Sequence, residues 1–287
     1  MGTSNFNIGV IYLAWLPYGI EHFKVFISSY IKYDASCPHQ LIIVFNGLAL
    51  DYPNKPEEYL AYLESKGVKP LRCLYFQNGQ DIEIYKKTAA EISLEFVLFL
   101  NTYSELQAKD WLQYYAENFN ETTGLIGAGG SFQSYYSSVF QKHTVRWEAS
   151  KGFLYNFRKY KLFIKAFLYW RFLFKPFPNP SVRTNAFMVR RTEFLMMRTG
   201  IVNTKFKAYQ FESGRKSLTD FYLQKKRRVL VVDKHGKTYE PAEWKKSSTF
   251  WINNQENLLV ADNQTRIYAE ASITEKKEMT RLAWGTV

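Results

Sequence analysis

The sequence has only two cysteines, Cys37 and Cys73, among its 287 residues. Two cysteines cannot form a disulfide framework, and these two form neither a C-x-x-C pair nor a zinc-ligand spacing. No uncharged apolar run is long enough to span a bilayer as a helix, and no internal repeat or low-complexity linker is present. These absences exclude disulfide-rich scaffolds, zinc fingers and repeat arrays, and they favour a reducing cytoplasmic setting.

Acidic residues are also scarce relative to basic ones. The chain has 26 Asp and Glu against 38 Lys and Arg, which gives a net charge of +12 with His neutral. A hydrophobic fraction of 46% with 22% charged residues is typical of a globular protein, and the length suits one large α/β domain. The positive charge predicts an anionic partner, which is a nucleotide, a nucleic acid or an acidic lipid surface.

The run Phe96–Leu100 contains five apolar residues and no charge. A run that short and that apolar predicts a strand buried on both faces, as in a parallel sheet. Polar residues begin abruptly at Asn101 and continue through Tyr103. Because ligands in open α/β sheets bind outside the carboxyl ends of the strands, we expect a site at Asn101 and Tyr103.

Strands alternate with segments in which apolar residues recur at helical spacing. The predicted strands cover residues 8–14, 41–45, 71–76, 96–100, a stretch beginning at 125, 182–189 and 228–232. Such alternation predicts an α/β fold with a mostly parallel, twisted, Rossmann-like sheet flanked by helices. We place the main domain at residues 1–240 and a C-terminal helical extension, packed on the same domain, at residues 241–287.

The order of these features resembles the GT-A glycosyltransferases, and within them the inverting, family-2-like group. The resemblance covers residue 6 to about residue 232. It is carried by the Pro- and Gly-containing loop after the first strand, by Asn46 and Asn78, each followed by Gly, and by the polar end of the fourth strand. It implies that a nucleotide-sugar donor binds at residues drawn from several strand ends. The donor-binding residues that we expect are Leu16, Pro17, Tyr18, Asn46, Asn78, Asn101, Tyr103, Arg183 and Arg215, with the first four near the base.

This sequence departs from the family at two of those places. The family usually has Asp at or near the position of Asn46. Its Asp-x-Asp motif, which holds a divalent cation, is replaced here by Asn101, Thr102 and Tyr103. Mg²⁺ and Mn²⁺ prefer anionic oxygen ligands, so we expect no metal ligands and no cofactor, with at most a weak dependence on Mg²⁺ or Mn²⁺. Basic residues would then neutralise the leaving diphosphate; the candidates are Arg183, Arg190, Arg191, Arg215 and Lys216.

The resemblance also implies a catalytic base in the segment that contains Glu212. One carboxylate must take a proton from the acceptor hydroxyl as that hydroxyl attacks the anomeric carbon. Glu212 is the first candidate and Asp220 the second. The structural alternative is that Glu212 only forms an ion pair with Arg215 or Arg183.

Residues 151–177 interleave seven basic residues with many aromatic ones and contain no acid. This composition predicts a helical insertion that lies on an anionic membrane surface. Two alternatives stay open: the segment binds single-stranded nucleic acid, or it is a helical lid whose aromatic rings pack on the core.

The resemblance, taken together with the charge and the missing Asp-x-Asp motif, implies a metal-independent, hexosyltransferase-type enzyme of polysaccharide biosynthesis. It would transfer a sugar from a nucleotide diphosphate to a hydroxyl of a cell-surface glycan or lipid-linked saccharide. We expect it in the cytoplasm, peripheral to the inner face of the membrane, without nucleic acid as a partner. The alternatives are a nucleic-acid-binding protein and an inactive scaffold that retains the glycosyltransferase fold.

Overall fold

The computed structural model describes residues 7–49, 55–142, 149–198, 200 and 202–285. Eight strands form one sheet in the order β11-β10-β6-β9-β4-β1-β2-β3, and two strand pairs lie outside it. The strands of the described residues are β1 Ile8–Trp15, β2 Gln40–Asn46, β3 Arg72–Phe76, β4 Phe96–Leu100, β5 Glu105–Leu106, β6 Thr123–Gly127, β7 Gly130–Ser131, β8 Ser181–Val182, β9 Ala186–Arg190, β10 Arg228–Val232, β11 Thr238–Tyr239 and β12 Val260–Ala261.

The helices flank both faces of this sheet, so the predicted α/β fold is confirmed. Those of the described residues are α1 Glu21–Lys32, α2 Pro56–Ser65, α3 Asp81–Glu91, α4 Trp111–Asn118, α5 Tyr135–Lys142, α6 Gly152–Lys165, α7 Arg171–Leu173, α8 Arg191–Met196, α9 Lys205–Ser213, α10 Leu218–Gln224, α11 Asn263–Glu270 and α12 Ile273–Trp284. Among the residues described, no helix is long and apolar enough to cross a membrane.

The central strands are apolar throughout because both faces of the sheet are covered. All five residues of β4 are buried. Along β1, Val10 and Tyr12 pack with α1, α2 and α4, whereas Ile11 and Leu13 pack with α3, α8 and α9. Successive side chains of a strand therefore point into two different cores, one on each face of the sheet. Both sets are apolar, so these strands lack the alternation of apolar and polar residues that a half-exposed sheet shows.

Strand β9 corrects one prediction. The predicted strand 182–189 is two strands, and β9 runs antiparallel to both β4 and β6. In this register Arg190 lies opposite Phe96, at the start of β4 and at the far edge of the sheet from Asn101. Arg190 pairs with Glu95, and Arg191 donates to backbone carbonyls at the same edge. The prediction that these two arginines neutralise a diphosphate was therefore wrong.

The predicted insertion is helical in the structure. It comprises α6, a π-helical turn over Ala166–Trp170, and α7. Phe163, Ala166, Trp170 and Phe174 form a small separate core together with Val139 of α5. One face of the insertion therefore packs on the protein while the other remains exposed.

The C-terminal region also packs on the main sheet. Trp244, Trp251 and Trp284 belong to the same buried cluster as the inner residues of β1 and β4. Strand β12 pairs antiparallel with β5, which follows shortly after β4. This pairing brings the start of α11 close to the carboxyl end of β4. The domain boundary that we placed at residue 240 stays a prediction.

Candidate active site

A cavity of about 820 Å³ lies at the carboxyl ends of β1, β2 and β4. That volume is in the range of small-molecule sites. Six of the predicted site residues line the cavity: Tyr18, Asn46, Asn101, Tyr103, Arg183 and Glu212. The predicted position of the site, at the polar end of β4, agrees with the position of this cavity.

Hydrogen bonds hold the strand ends in place around the cavity. The Asn101 Oδ1 accepts from the backbone N–H of Tyr103 at 3.0 Å and from the Ser104 hydroxyl at 3.1 Å. Thr102 joins β4 to β1, because its Oγ1 accepts from Trp15 N at 3.1 Å and donates to Leu13 O at 2.8 Å. The amide of Asn101 therefore closes a turn at the rim of the site.

The other predicted site residues do not line the cavity. Leu16 is buried in the core beside α1, and Pro17 lies in the 3₁₀ turn before α1. Asn78 accepts from Gly79 N at 2.8 Å, and Arg215 donates to the carbonyl of Arg171. Lys216 is exposed.

Asp220, the second candidate for the base, is buried away from the cavity. It pairs with Lys175, and its backbone N–H and carboxylate both bond to the hydroxyl of Ser217, which caps α10. Asp220 is therefore not placed to take a proton from a substrate in the cavity.

Asn46 has one unpaired group in the cavity wall. Its Nδ2 donates to the Gly79 carbonyl at 2.8 Å. Its Oδ1 is buried and has no hydrogen-bond partner among the described residues. An unsatisfied buried acceptor costs on the order of 1–3 kcal/mol, so this position favours a ligand that brings an N–H or O–H donor.

Helix α9 positions Glu212. Thr204 caps this helix by accepting from Lys207 N. Lys205, Ala208, Tyr209 and Glu212 all line the cavity, and their spacing places them on one face of α9. The helix therefore presents a basic residue, an aromatic ring and a carboxylate to the same cavity.

The Glu212 carboxylate accepts three hydrogen bonds. Its Oε1 accepts from Arg183 Nη1 at 2.6 Å, and its Oε2 accepts from the Thr184 N–H at 3.0 Å and from the Thr184 hydroxyl at 2.5 Å. Each carboxylate oxygen has two lone pairs. Both lone pairs of Oε2 are engaged, whereas Oε1 retains one for a further donor.

Asp81 is a cavity residue that sequence reasoning missed. It follows Gly79 and Gln80 at the start of α3, and its Oδ1 accepts from Ile82 N at 2.9 Å. Burial raises the pKa of Asp81, and the nearby negative charge of Glu212 raises this pKa further, while Lys205 opposes the rise. Asp81 and Glu212 are therefore cavity-lining carboxylates that repel each other when both are charged.

Replacing Asp81 by Asn should stabilise the protein at neutral pH. The folded-state pKa lies above the unfolded value, so the charged form of Asp81 costs stability as the pH rises through the folded pKa. We expect Asp81→Asn to raise the melting temperature by roughly 2 °C or more at pH 7, and by less at pH 4. Thermal unfolding at the two pH values measures the difference.

Asp34→Asn is the matched control for Asp81→Asn. Asp34 also accepts a hydrogen bond from a nearby backbone N–H, that of Ser36, but it is exposed. This control should leave the melting temperature within about one degree at both pH values. An equal gain for Asp81→Asn at pH 4 and pH 7 would contradict the electrostatic explanation.

The C-terminal region supplies the other residues that the sequence did not reveal. Trp251, Asp262, Asn263 and Gln264 line the cavity. Asp262 also caps α11, because its Oδ1 accepts from Thr265 N at 2.8 Å. The pairing of β12 with β5, which brings Asp262 close to the end of β4, was not readable in the sequence.

The residues at the end of β4 do not fit a divalent cation. Asn101 uses its Oδ1 within its own turn, and Tyr103 offers a phenol in place of a carboxylate. In the described part of the chain, no group of three or more His, Cys, Asp or Glu side chains is placed to hold a metal ion.

No protein-family model and no curated protein sequence matches this chain. Solved structures resemble it in part. The mannosyltransferase PcManGT from Pyrobaculum calidifontis, in complex with GDP-Man and Mn²⁺, aligns over 44% of this chain and 36% of its own, at 12% identity and a TM-score of 0.37. TarS 1–349 from S. aureus, in complex with UDP-GlcNAc, aligns over 42% of this chain and 34% of its own, at 14% identity and a TM-score of 0.32. The aligned part spans about a third of each of those two chains.

Proposed function

We propose that this protein is a glycosyltransferase that moves a sugar from a nucleotide diphosphate to a hydroxyl of a glycan or lipid-linked saccharide. One observation carries the proposal: Glu212 faces the cavity at the strand ends with one lone pair of Oε1 available. A general base must reach the proton that it removes, and an open lone pair in a ligand-sized cavity meets that condition.

The nucleotide base would bind at the end of β2. The unpaired Oδ1 of Asn46 accepts a hydrogen bond from the imide N–H of uracil or guanine. Tyr18 and Trp15 line the same part of the cavity and offer ring surface to the base. An amide replaces the family's usual carboxylate here, and it can accept the same hydrogen bond without a charge.

The reaction is a single displacement at the anomeric carbon. The acceptor oxygen forms a bond to that carbon while the bond to the diphosphate oxygen breaks, and the electron pair leaves with the nucleoside diphosphate. Glu212 takes the hydroxyl proton as the new bond forms. A single displacement of this kind inverts the anomeric configuration.

Basic residues would stabilise the departing diphosphate in place of a metal ion. Arg183 and Lys205 are the cavity-lining cations of the described chain. Arg183 keeps a buried Nε without a partner among the described residues, and Lys205 is exposed. We expected Arg215 to bind the diphosphate, but it does not line the cavity, and Lys205 takes this role instead.

A nucleotide-sugar screen tests the proposal. UDP- and GDP-linked hexoses should raise the melting temperature by about 5 °C or more at a hundredfold excess over the dissociation constant, because a ligand that binds only the folded state stabilises it. The rise should persist in EDTA. Asn46→Ala should reduce the rise, and Asn118→Ala is its control, because Asn118 also donates from Nδ2 to a backbone carbonyl but lies outside the cavity.

Two results would contradict the proposal. The first is the absence of any shift with every UDP- and GDP-linked sugar, which would favour the nucleic-acid-binding or scaffold alternative. The second is a shift that EDTA abolishes and Mg²⁺ or Mn²⁺ restores, which would overturn metal independence and leave the transferase assignment in place.

A further inference from the structure

The cavity continues past the strand ends to an aromatic wall beneath the insertion. Tyr135 of α5 and Tyr209 of α9 line it as a stacked pair, with ring centroids 5.4 Å apart and an interplanar angle of 28°. The ring of Trp170 lies 4.7 Å from that of Tyr135 and also lines the cavity. Tyr209 is 38% exposed, so the pair is not sealed in the core.

This wall also contains an unpaired polar group. Trp170 is 6% exposed, and its Nε1 has no hydrogen-bond partner among the described residues. A buried indole N–H normally has a partner. Trp170 ends the π-helical turn Ala166–Trp170, and single π-helical turns are often found at functional sites. An oxygen-rich ligand would supply the missing acceptor after a small movement of the ring.

Helix α9 joins the aromatic wall to the catalytic carboxylate. Tyr209 and Glu212 are three residues apart, so their Cβ atoms are about 5–6 Å apart on one face of the helix. That distance is about the width of a pyranose ring. A sugar lying on Tyr209 therefore presents a hydroxyl at its edge to the open lone pair of Glu212 Oε1.

We propose that Tyr135 and Tyr209 form the acceptor platform, and that the acceptor is a pyranose residue of a saccharide. The C–H face of the sugar stacks on the exposed ring of Tyr209, which Tyr135 supports from the other side, and one hydroxyl points toward Glu212. Gln133, Ser138 and Ser213 also line the cavity. The two serine hydroxyls donate to the carbonyls of Ser134 and Tyr209, so they can accept from the remaining sugar hydroxyls, and the Gln133 amide can donate or accept. This inference deepens the function proposed above, because it names the acceptor class of the same site.

Calorimetric titration of saccharides tests the platform without requiring turnover. The probes are maltose, cellobiose, lactose and N,N′-diacetylchitobiose, each titrated with UDP or GDP present. At least one should bind the unaltered protein. Tyr209→Ala and Tyr135→Ala should weaken that binding about tenfold or more, whereas Tyr209→Phe, which keeps the ring, should stay within about threefold.

Tyr75→Ala is the matched control. Tyr75 stacks on Phe45 at 5.4 Å and 27° and is 49% exposed, but it lies outside the cavity. It should leave saccharide binding unchanged. All variants should bind UDP or GDP as the unaltered protein does, because the platform is separate from the nucleotide site.

The outcomes separate this inference from the function proposed above. Failure of all four saccharides to bind, or equal binding by Tyr209→Ala, overturns the platform even if nucleotide sugars bind. Loss of UDP or GDP affinity in Tyr209→Ala and Tyr135→Ala also overturns it, because the rings would then hold the donor. Saccharide binding that depends on Tyr209, without any nucleotide binding, supports the platform and overturns only the donor chemistry.

Discussion

Replacing Glu212 by Gln should lower the turnover number for sugar transfer by about 10²–10⁴-fold, the usual contribution of a general base. Gln keeps the size of Glu and can still accept from Thr184, but it cannot take the acceptor's proton. The Michaelis constant for the donor should change by no more than a few fold, because the base acts on the acceptor hydroxyl. Steady-state kinetics with the donor found in the nucleotide-sugar screen measures both quantities.

The same substitution removes an ion pair, so stability has to be separated from catalysis. Glu212 and Arg183 are 14% and 20% exposed, so removing the charge of Glu212 leaves the Arg183 guanidinium partly buried without a counter-charge, which destabilises the fold. Glu193 and Arg227 form a comparable pair at 2.9 Å, with exposures of 13% and 35%, away from the cavity. Glu193→Gln should therefore lower the melting temperature by a similar amount and leave the turnover number unchanged.

Two results would remove Glu212 from the mechanism. One is transfer by Glu212→Gln at the rate of the unaltered enzyme. The other is an equal loss of turnover in Glu193→Gln and Glu212→Gln, which would make the effect one of stability. In either case the Glu212–Arg183 pair is structural, as the alternative derived from the sequence had it.

The sequence predicted the central sheet well because each of its strands is encoded by a short, continuous run of residues. A short apolar run such as Phe96–Leu100 is typical of a strand that is covered on both faces. Helical spacing of apolar residues likewise predicted the helices between the parallel strands. The polar residues after β4 predicted the position of the cavity, since strand ends of a parallel sheet meet at one edge.

Strand direction and long-range pairing were not readable in the same way. Alternating apolar residues predict a strand but not whether it runs parallel or antiparallel, so the position of Arg190 was missed. The pairing of β12 with β5 joins residues more than 150 positions apart, and no local pattern announces it. Asp262, which follows β12 directly, lines the cavity beside the end of β4.

Side-chain partners were the other limit on predicting the site. Glu212 and Asp220 are both acids in one segment, and the sequence ranked Glu212 first without showing which of the two faces the site. The structure separates them by partner: Glu212 retains an open lone pair in the cavity, whereas Asp220 is buried against Lys175. The raised pKa of Asp81 depends on burial and on Glu212, and neither is visible in the sequence.

The structure lowers the number of basic residues in the insertion that are available to an anionic surface. Two of its seven basic residues are taken up by the protein: Lys159 is buried, and Lys175 pairs with Asp220. Arg171 and Lys165 each lie over aromatic rings of the insertion itself. Lys151, Arg158, Lys161 and Lys165 are exposed. The charge available to an anionic surface is therefore lower than the sequence suggested.

Those exposed cations share one face of α6 and the following turn with large apolar side chains. Arg158, Lys161 and Lys165 recur at spacings of three and four residues. The apolar members of the face are 55–68% exposed: Leu154, Phe157, Ile164 and Leu168. A face that combines cations with exposed apolar residues suits an anionic bilayer, because lipid headgroups meet the charges and acyl chains meet the apolar groups.

We propose that this face binds anionic membranes, and reversing its charge should then weaken vesicle binding strongly. We expect the triple variant Arg158→Glu, Lys161→Glu, Lys165→Glu to lose about 3 kcal/mol or more of binding free energy, at about 1 kcal/mol per basic residue. That loss corresponds to a roughly 100-fold lower partition coefficient. Sedimentation with phosphatidylcholine vesicles that contain 30% phosphatidylserine measures it, and pure phosphatidylcholine vesicles should bind weakly throughout.

A second triple variant with the same change in net charge distinguishes a specific face from the overall charge of the protein. Lys66, Lys69 and Lys109 are exposed residues outside the insertion, and their replacement by Glu should weaken vesicle binding far less. Equal losses in the two triples would reduce the interaction to net charge. Absence of vesicle binding, together with single-stranded DNA binding that only the first triple loses, would assign the insertion to nucleic acid instead.

Because α6 and the π-helical turn place Leu162 and Trp170 in the cavity wall, a membrane bound on the opposite face would lie about one helix diameter from the acceptor platform.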